Sequence, residues 1–215
     1  MWEVLNPDVF IWSVTPHPEE AIEAAYKICY DKPFFAGREE QQKFITARIK
    51  QGHLSALEFA FAQFEITCSR AASHQLVRHR IASYAQQSQR RVKVKDYVIW
   101  PPSFNTLNNK DILAITDLIE ANYAWYEDLI NKGIPKEDAR SILPSMYTTK
   151  IMVGMNFRAL RHFFKLRCNE HAQWEIRDIA LQMLYDIYSY APSVFGDLYE
   201  KYCNQEDIEL WTEWD

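Results

Sequence analysis

Between Lys110 and Lys132 the apolar residues Ile112, Ile115, Ile119, Tyr123, Tyr126 and Ile130 recur at steps of three or four, and Gly133 follows. That spacing predicts a long amphipathic helix with one stripe to bury, closed by a glycine. The stripe must find a partner layer, and 215 residues, 48% of them hydrophobic, are enough to supply one within a single folded domain, 1–215. The rest of the chain mixes the two periods. "VFIWSVT", "AFAQFEITCS" and "MYTTKIMVGMNF" read as strands. "PEEAIEAAYKICY", "EEQQKFITARIKQG" closed by Gly52, "RAASHQLVRH", "PKEDARSIL" ended by Pro144, "RALRHFFKLRC" and "AQWEIRDIALQMLYDIYSYA" ended by Pro192 read as helices. Tyr97 to Asn109 reads as a connector, because Pro101 and Pro102 block regular structure. The predicted class is α+β: one mixed helix/strand domain in which helix predominates.

Several classes are excluded or disfavoured. No apolar run is long enough to span a bilayer, and the N-terminus lacks the basic n-region and apolar stretch of a signal peptide. Cys29, Cys68, Cys168 and Cys203 are scattered without a C-x-x-C pair, which suits thiols of a reducing, cytoplasmic compartment. His79, His162 and His171 lack the i, i+4 spacing of a helical metal pair, so no metal site is expected.

The charge distribution is uneven. The chain has a formal net charge of −5, yet no acidic residue lies between Glu65 and Asp96, a gap that holds Arg70, Arg78, Arg80, Arg90, Arg91, Lys93 and Lys95. Like charges at helical neighbour spacing destabilise by roughly 0.3–0.5 kcal/mol per pair. A solvated cationic face is the plain explanation of such a run. Arginine rather than lysine predominates, however, interleaved with Ser, Gln and His. Guanidinium forks match phosphate oxygens, and serine hydroxyls with backbone N–H groups complete phosphate cradles. An anion site is therefore the stronger reading. A second basic stretch, "MNFRALRHFFKLRCNEHAQWEIR", sets Arg158, Arg161 or His162, and Lys165 along one helix edge.

"RHRIASYAQQSQR" resembles the signature of the flavin-dependent (alternative) thymidylate synthases, R-H-R-x-x-S-x-N-E-x-S-x-R-Y, through Arg78, His79, Arg80, Ser83, Ser88 and Arg90. "QGHLSALEF", "DARSILP" and "MNFRALRHFFKLRCNEHAQWEIR" resemble three further blocks of that family, in the same order, across most of the chain. The resemblance implies the family's α+β fold and a homotetramer with shared active sites. It also implies reductive methylation of dUMP to dTMP, with methylenetetrahydrofolate as carbon donor, FAD as cofactor and NADPH as reductant. It assigns Ser55, Glu58, Arg78, His79, Arg80, Asn156, Arg158 and His162 to the flavin. Gln75, Arg78, Gln86, Ser88, Arg90, Arg140 and Arg167 fall to the nucleotide. Arg167, on the uracil ring, and His53, near the flavin, are the catalytic candidates. No cysteine carries a role.

Three positions depart from the pattern: Ala85 and Gln86 stand where the family has N-E, and Arg91 where it has Tyr. These leave an ordinary thymidylate synthase as the favoured reading, beside a relative acting on another pyrimidine nucleotide or hydroxymethylating it. A different class, a single-stranded nucleic-acid binder that stacks bases on Tyr84, is opposed by the net acidity.

Overall fold

The computed structural model describes residues 2–29, 31 and 37–203. Strands β1 (Glu3–Leu5) and β2 (Asp8–Val14) are followed by helices α1 (Pro18–Ile28) and α2 (Arg38–Lys50). Strand β3 (Phe61–Ser69) runs into helix α3 (Arg70–Leu76), and β4 (Ser83–Gln86) and β5 (Tyr97–Ile99) precede the long helix α4 (Asn109–Asn131). After the short α5 (Lys136–Ala139) come β6 (Thr148–Asn156), α6 (Phe157–Arg167), α7 (Trp174–Tyr188) and α8 (Pro192–Tyr202). One sheet has the order β2-β3-β6-β4; the other is the parallel pair β1-β5, in register at Val4 and Val98.

The predicted α+β class holds, with differences in four places. The Tyr97–Asn109 connector contains β5 and a 3-10 turn, Pro102–Thr106. "PKEDARSIL" makes only a four-residue helix followed by a 3-10 turn, Arg140–Ile142. The acid-free window holds the strand β4. Pro192 ends one helix and, at the first position of α8, also begins another, because its fixed φ and missing N–H suit a helix start.

The chain forms two compact units. The first gathers the residues up to Asp8, Ile66–Arg78 and Ala85–Ile151. Its core is built on the stripe of α4: Ile119 and Tyr126, with Ile115, Tyr123 and Ile130, pack with Val94, Val98, Ala139 and Tyr147. The tyrosine hydroxyls are satisfied there. Val94 N–H donates to Tyr126 Oη at 2.9 Å, and Tyr123 Oη donates to the Val94 carbonyl at 3.1 Å. The segment carrying the basic window is thus tied to the helix that the sequence marks most clearly.

The second unit gathers Val9–Glu65, His79–Tyr84 and the chain from Met152 onward. Its part of β3 alternates, Ala62 and Phe64 fully buried and Phe61 and Gln63 exposed, as a half-buried strand does. Helix α6 buries Phe157, Leu160, Phe163 and Phe164, and Phe195 of α8 meets the rings of Phe157 and Phe164 edge-on at 4.9 and 5.8 Å. Arg161 does not lie on a basic edge as its spacing suggests. It is 3% exposed and forms a bidentate pair with Asp197 at 2.6 and 2.7 Å, while its guanidinium also donates to the Val194 carbonyl.

Candidate functional site

Six of the residues assigned to the nucleotide by resemblance, Gln75, Arg78, Gln86, Ser88, Arg90 and Arg140, belong to the first unit. Here α5 gathers two of the guanidinium groups. Arg90 Nε meets the Glu137 carboxylate at 2.6 Å, and Arg140 Nε donates to the Glu137 carbonyl at 3.2 Å. Ser88 stands at the turn leading to them, its carbonyl accepting from the N–H groups of Arg91 at 3.1 Å and Val92 at 2.9 Å. Arg78 is exposed and Gln75 half-buried. Arg70 joins this set unforeseen. It is half-buried, and burial followed by the charge of Arg140 pushes its guanidinium below the usual value. Its only signal in the sequence is its place in the acid-free gap. A surface that holds arginines close enough to repel one another is suited to an anion carrying more than one charge.

Gln86 has a local explanation. Its Nε2 donates to Ser73 Oγ at 2.9 Å and to Thr149 Oγ1 at 3.3 Å, while Ser73 Oγ itself donates to the Arg70 carbonyl at 2.9 Å. The one hydroxyl proton of fully buried Ser73 is therefore already used, and only a donor fits opposite it. An ionised glutamate is an acceptor only. Gln86→Glu is expected to cost about 1–3 kcal/mol, the penalty for setting acceptor against acceptor in a buried place, measurable as a lower urea midpoint with an unchanged slope. Of the other two departures, Ala85 is exposed, and so is Arg91, whose carbonyl accepts from Lys136 Nζ at 3.1 Å.

The second unit holds the remaining assigned residues: His53, Ser55, Glu58, His79, Arg80, Asn156, Arg158, His162 and Arg167. Ser55 and Glu58 lie on the 3-10 turn Ser55–Phe59, and Glu58 pairs with Arg158 of α6 at 2.6 Å, both half-exposed. Asn156 caps α6, its Oδ1 accepting from Ala159 N–H at 2.8 Å. Arg158 lies in the first turn of α6, and His162 is four residues, about one turn, further on. At the other end of α6, Arg167 Nε donates to His79 Nε2 at 3.0 Å. The His79 ring also meets Phe163 edge-on at 4.9 Å and lies 6.4 Å from the His162 ring. Burial, then the charges of Arg167 and His162, push the His79 imidazole down to about 4, so it is neutral at physiological pH. His53 is exposed, and its carbonyl accepts from Tyr26 Oη. Arg80 is exposed and, among the described residues, has no acidic partner.

The donor chemistry fits a phosphate-bearing ligand in each unit. In the first unit Arg90 and Arg140 both meet Glu137, and in the second Glu58 holds Arg158 on the helix that also carries His162. A flavin dinucleotide brings a pyrophosphate and a nucleotide brings a phosphate, and the residues present match both. Tyr84, the residue on which the nucleic-acid reading would stack bases, is half-buried, and its hydroxyl donates to the His79 carbonyl at 2.8 Å. Among the described residues, no group of three or more His, Cys, Asp or Glu is placed to hold a metal ion.

The elements define an α+β protein, and its exposed guanidinium groups are of a chemistry suited to phosphate-bearing molecules. Comparison with known proteins gives the family. The family described as thymidylate synthase complementing protein matches residues 11–193. A flavin-dependent thymidylate synthase of Geobacter sulfurreducens is 42% identical over 195 residues, covering 85% of this chain and 83% of the relative. Another, of Clostridium tetani, is 36% identical over 218 residues, covering 90% and 87%. Among solved structures, a UMP/dUMP methylase PolB from Streptomyces cacaoi bound with 5-Br dUMP superposes with a TM-score of 0.83 at 21% identity. The match covers 93% of this chain and 97% of that one, and supports the fold. The chain belongs to the flavin-dependent thymidylate synthase family.

Proposed function

We propose that this protein methylates dUMP reductively to dTMP, with methylenetetrahydrofolate giving the carbon, NADPH the electrons and bound FAD linking the two. The observation that carries the reading is the contact between Arg167 and neutral His79, residues that the family resemblance assigns to base and flavin. The balance of the reaction is dUMP, methylenetetrahydrofolate, NADPH and a proton giving dTMP, tetrahydrofolate and NADP+. A carbon at the methylene level needs two more electrons to become a methyl group, and FAD supplies that hydride-relay chemistry when bound.

The protein's own groups bind and polarise. Arg90 and Arg140, with the Ser88 turn, take the nucleotide phosphate, and Glu137 gives up its contact with Arg90 as the phosphate replaces it. Arg167 directs its guanidinium to a uracil carbonyl and stabilises negative charge that develops on the ring, which makes the ring carbon receptive to the incoming one-carbon unit. Arg80 and Arg158 offset the flavin pyrophosphate, the Asn156 amide and His162 add donors, and Ser55 and Glu58 lie beside them. His53 serves the exposed side of the flavin site.

Self-association into a homotetramer belongs to this reading. It is supported by exposed apolar residues that a monomer would leave in water: Phe10 and Trp12 of β2, 58% and 57% exposed, and separately Leu118 and Trp125 of α4. Cytoplasmic residence is supported by free thiols at all four cysteines. No helix among the described residues is long and apolar enough to cross a membrane.

Visible absorption of the purified protein tests the reading. A bound flavin spectrum that shifts when dUMP is added is expected; a protein that neither carries nor takes up FAD would contradict it. Arg90→Ala should weaken dUMP binding about 10- to 100-fold, the loss of one charge-assisted contact, with FAD content unchanged. Calorimetry with dUMP, beside flavin absorbance, measures both, and equal losses of the two ligands would remove the phosphate role from Arg90.

A further inference from the structure

Arg167 and the ring that accepts its Nε–H are held by one helix face. Phe163 and Arg167 are four residues apart on α6 and so lie one above the other. His79 rests on both, with its ring edge-on to fully buried Phe163 and its Nε2 on Arg167 Nε. Phe163 is fixed in the core, so the imidazole is fixed too, and the imidazole fixes the guanidinium. An arginine on a partly exposed helix end ordinarily samples many rotamers. Here the Nε–H is committed, which leaves the two terminal nitrogens and their four N–H groups as the free edge.

We propose that His79 is a positioning residue for Arg167: its unprotonated Nε2 anchors the guanidinium through Nε and aims the terminal N–H groups at the pyrimidine. The proposal rests on the functional reading above and adds to it, since the family resemblance gives His79 to the flavin. With Nε2 engaged by Arg167, Nδ1 is the atom His79 has left for any other ligand.

Two further observations agree. The charged and titratable neighbours of the ring are Arg167 and His162, both disfavouring imidazolium, and burial acts in the same direction, so the acceptor survives through the physiological range. The loop leading from His79 is held as well, since Tyr84 Oη donates to the His79 carbonyl. The contact is therefore supported from the ring side and from the backbone side, as a device that orients another group must be.

A double-mutant cycle on dUMP affinity tests this. The purified protein with its flavin is titrated calorimetrically with dUMP as wild type, His79→Leu, Arg167→Ala and the double variant, and FAD per subunit is read from absorbance. The expected result is that His79→Leu weakens dUMP binding about 10-fold while the double variant binds no more weakly than Arg167→Ala, the mark of two residues acting as one. His79→Gln, whose amide oxygen falls near the place of Nε2, should recover most of the affinity; His79→Asn, one carbon shorter, should not. That pair also serves if the leucine variant does not fold. Effects that multiply in the double variant would overturn the proposal, as would His79→Gln binding as weakly as His79→Asn. Flavin loss that accounts for the whole effect of His79→Leu would return the residue to a cofactor role alone. A wild-type protein that binds no dUMP overturns the functional reading and this proposal together, and is distinguished from the other cases by the wild-type titration itself.

Discussion

Arg167→Ala is expected to abolish measurable dTMP formation, a loss of at least about 10²–10³ in turnover if it acts as one preorganised donor to developing charge. The fold and most bound FAD should remain. Arg167 sits in the last turn of α6 and is partly exposed, and its side chain bonds His79, so little packing is lost with it. Product assays, a thermal melt and flavin absorbance on the same preparation separate the possibilities. Turnover within a few-fold of wild type would remove the base-polarising role. Loss of flavin and fold together would make Arg167 a structural residue. Lysine should rescue poorly, because a point charge cannot both bond Nε2 of His79 and present a planar fork.

Asp197→Ala should produce the largest loss of stability. Its partner Arg161 is 4% exposed along its side chain, and Asp197 supplies both oxygens of the bidentate pair. Removing the carboxylate leaves a guanidinium in the core with only the Val194 carbonyl and without counter-charge, and breaking a pair in that way costs about 3–5 kcal/mol. Asp197 is half-exposed, so water reaches one side of the gap and the lower end is expected, about 3 kcal/mol, or a Tm lower by roughly 6–12 °C for a chain of this size. Replacing Arg161 by Met in the same variant should restore most of it. Burial opposes ionisation of Asp197, but the hydrogen bonds and charge of Arg161 prevail and hold its carboxyl below the usual range. The folded-state value is thus depressed, and the stabilisation is present above the unfolded carboxylate value of 3.8 and lost as pH falls through the folded one. A loss below about 1 kcal/mol for Asp197→Ala would mean the pair behaves like a surface ion pair.

The contrast between these two arginines shows what the sequence reveals. Both lie on one basic helix and look alike in its pattern, yet Arg167 ends beside His79 and Arg161 inside the core. The difference is made by Asp197, thirty-six residues on, which no local spacing relates to Arg161. Long periodic elements are legible for the opposite reason. The α4 stripe declares its own buried face, and Gly133, at φ +86°, takes the left-handed conformation that glycine tolerates. Short strands are not legible. Tyr97–Ile99 exists because Glu3–Leu5 pairs with it in parallel, a partner more than ninety residues earlier. β4 sits among polar residues whose composition says nothing of a strand, and it forms through its place beside β6.

The candidate site divides in the same way. Signature residues stand out in the sequence, since the planar donor fork of arginine, suited to phosphate, has few substitutes. Supporting residues do not. Glu137, Arg70, Ser73 and Thr149 decide how Arg90, Arg140 and Gln86 are held, and each is ordinary in the sequence. The glutamine at position 86, a departure when read against the family pattern, becomes the fitting residue once the Ser73 proton is traced to the Arg70 carbonyl.

In the proposed reaction the clustered guanidinium groups serve a flavin and a nucleotide in one-carbon transfer. The measurement that reaches it most directly is mass analysis of the nucleotide after incubating the purified protein with dUMP, methylenetetrahydrofolate, NADPH and FAD. The expected product is heavier by one CH2 unit, a methyl group in place of a ring hydrogen, formed at the expense of NADPH and only when all components are present. Unchanged dUMP beside a protein that binds flavin, or a hydroxymethylated product in place of dTMP, would contradict it.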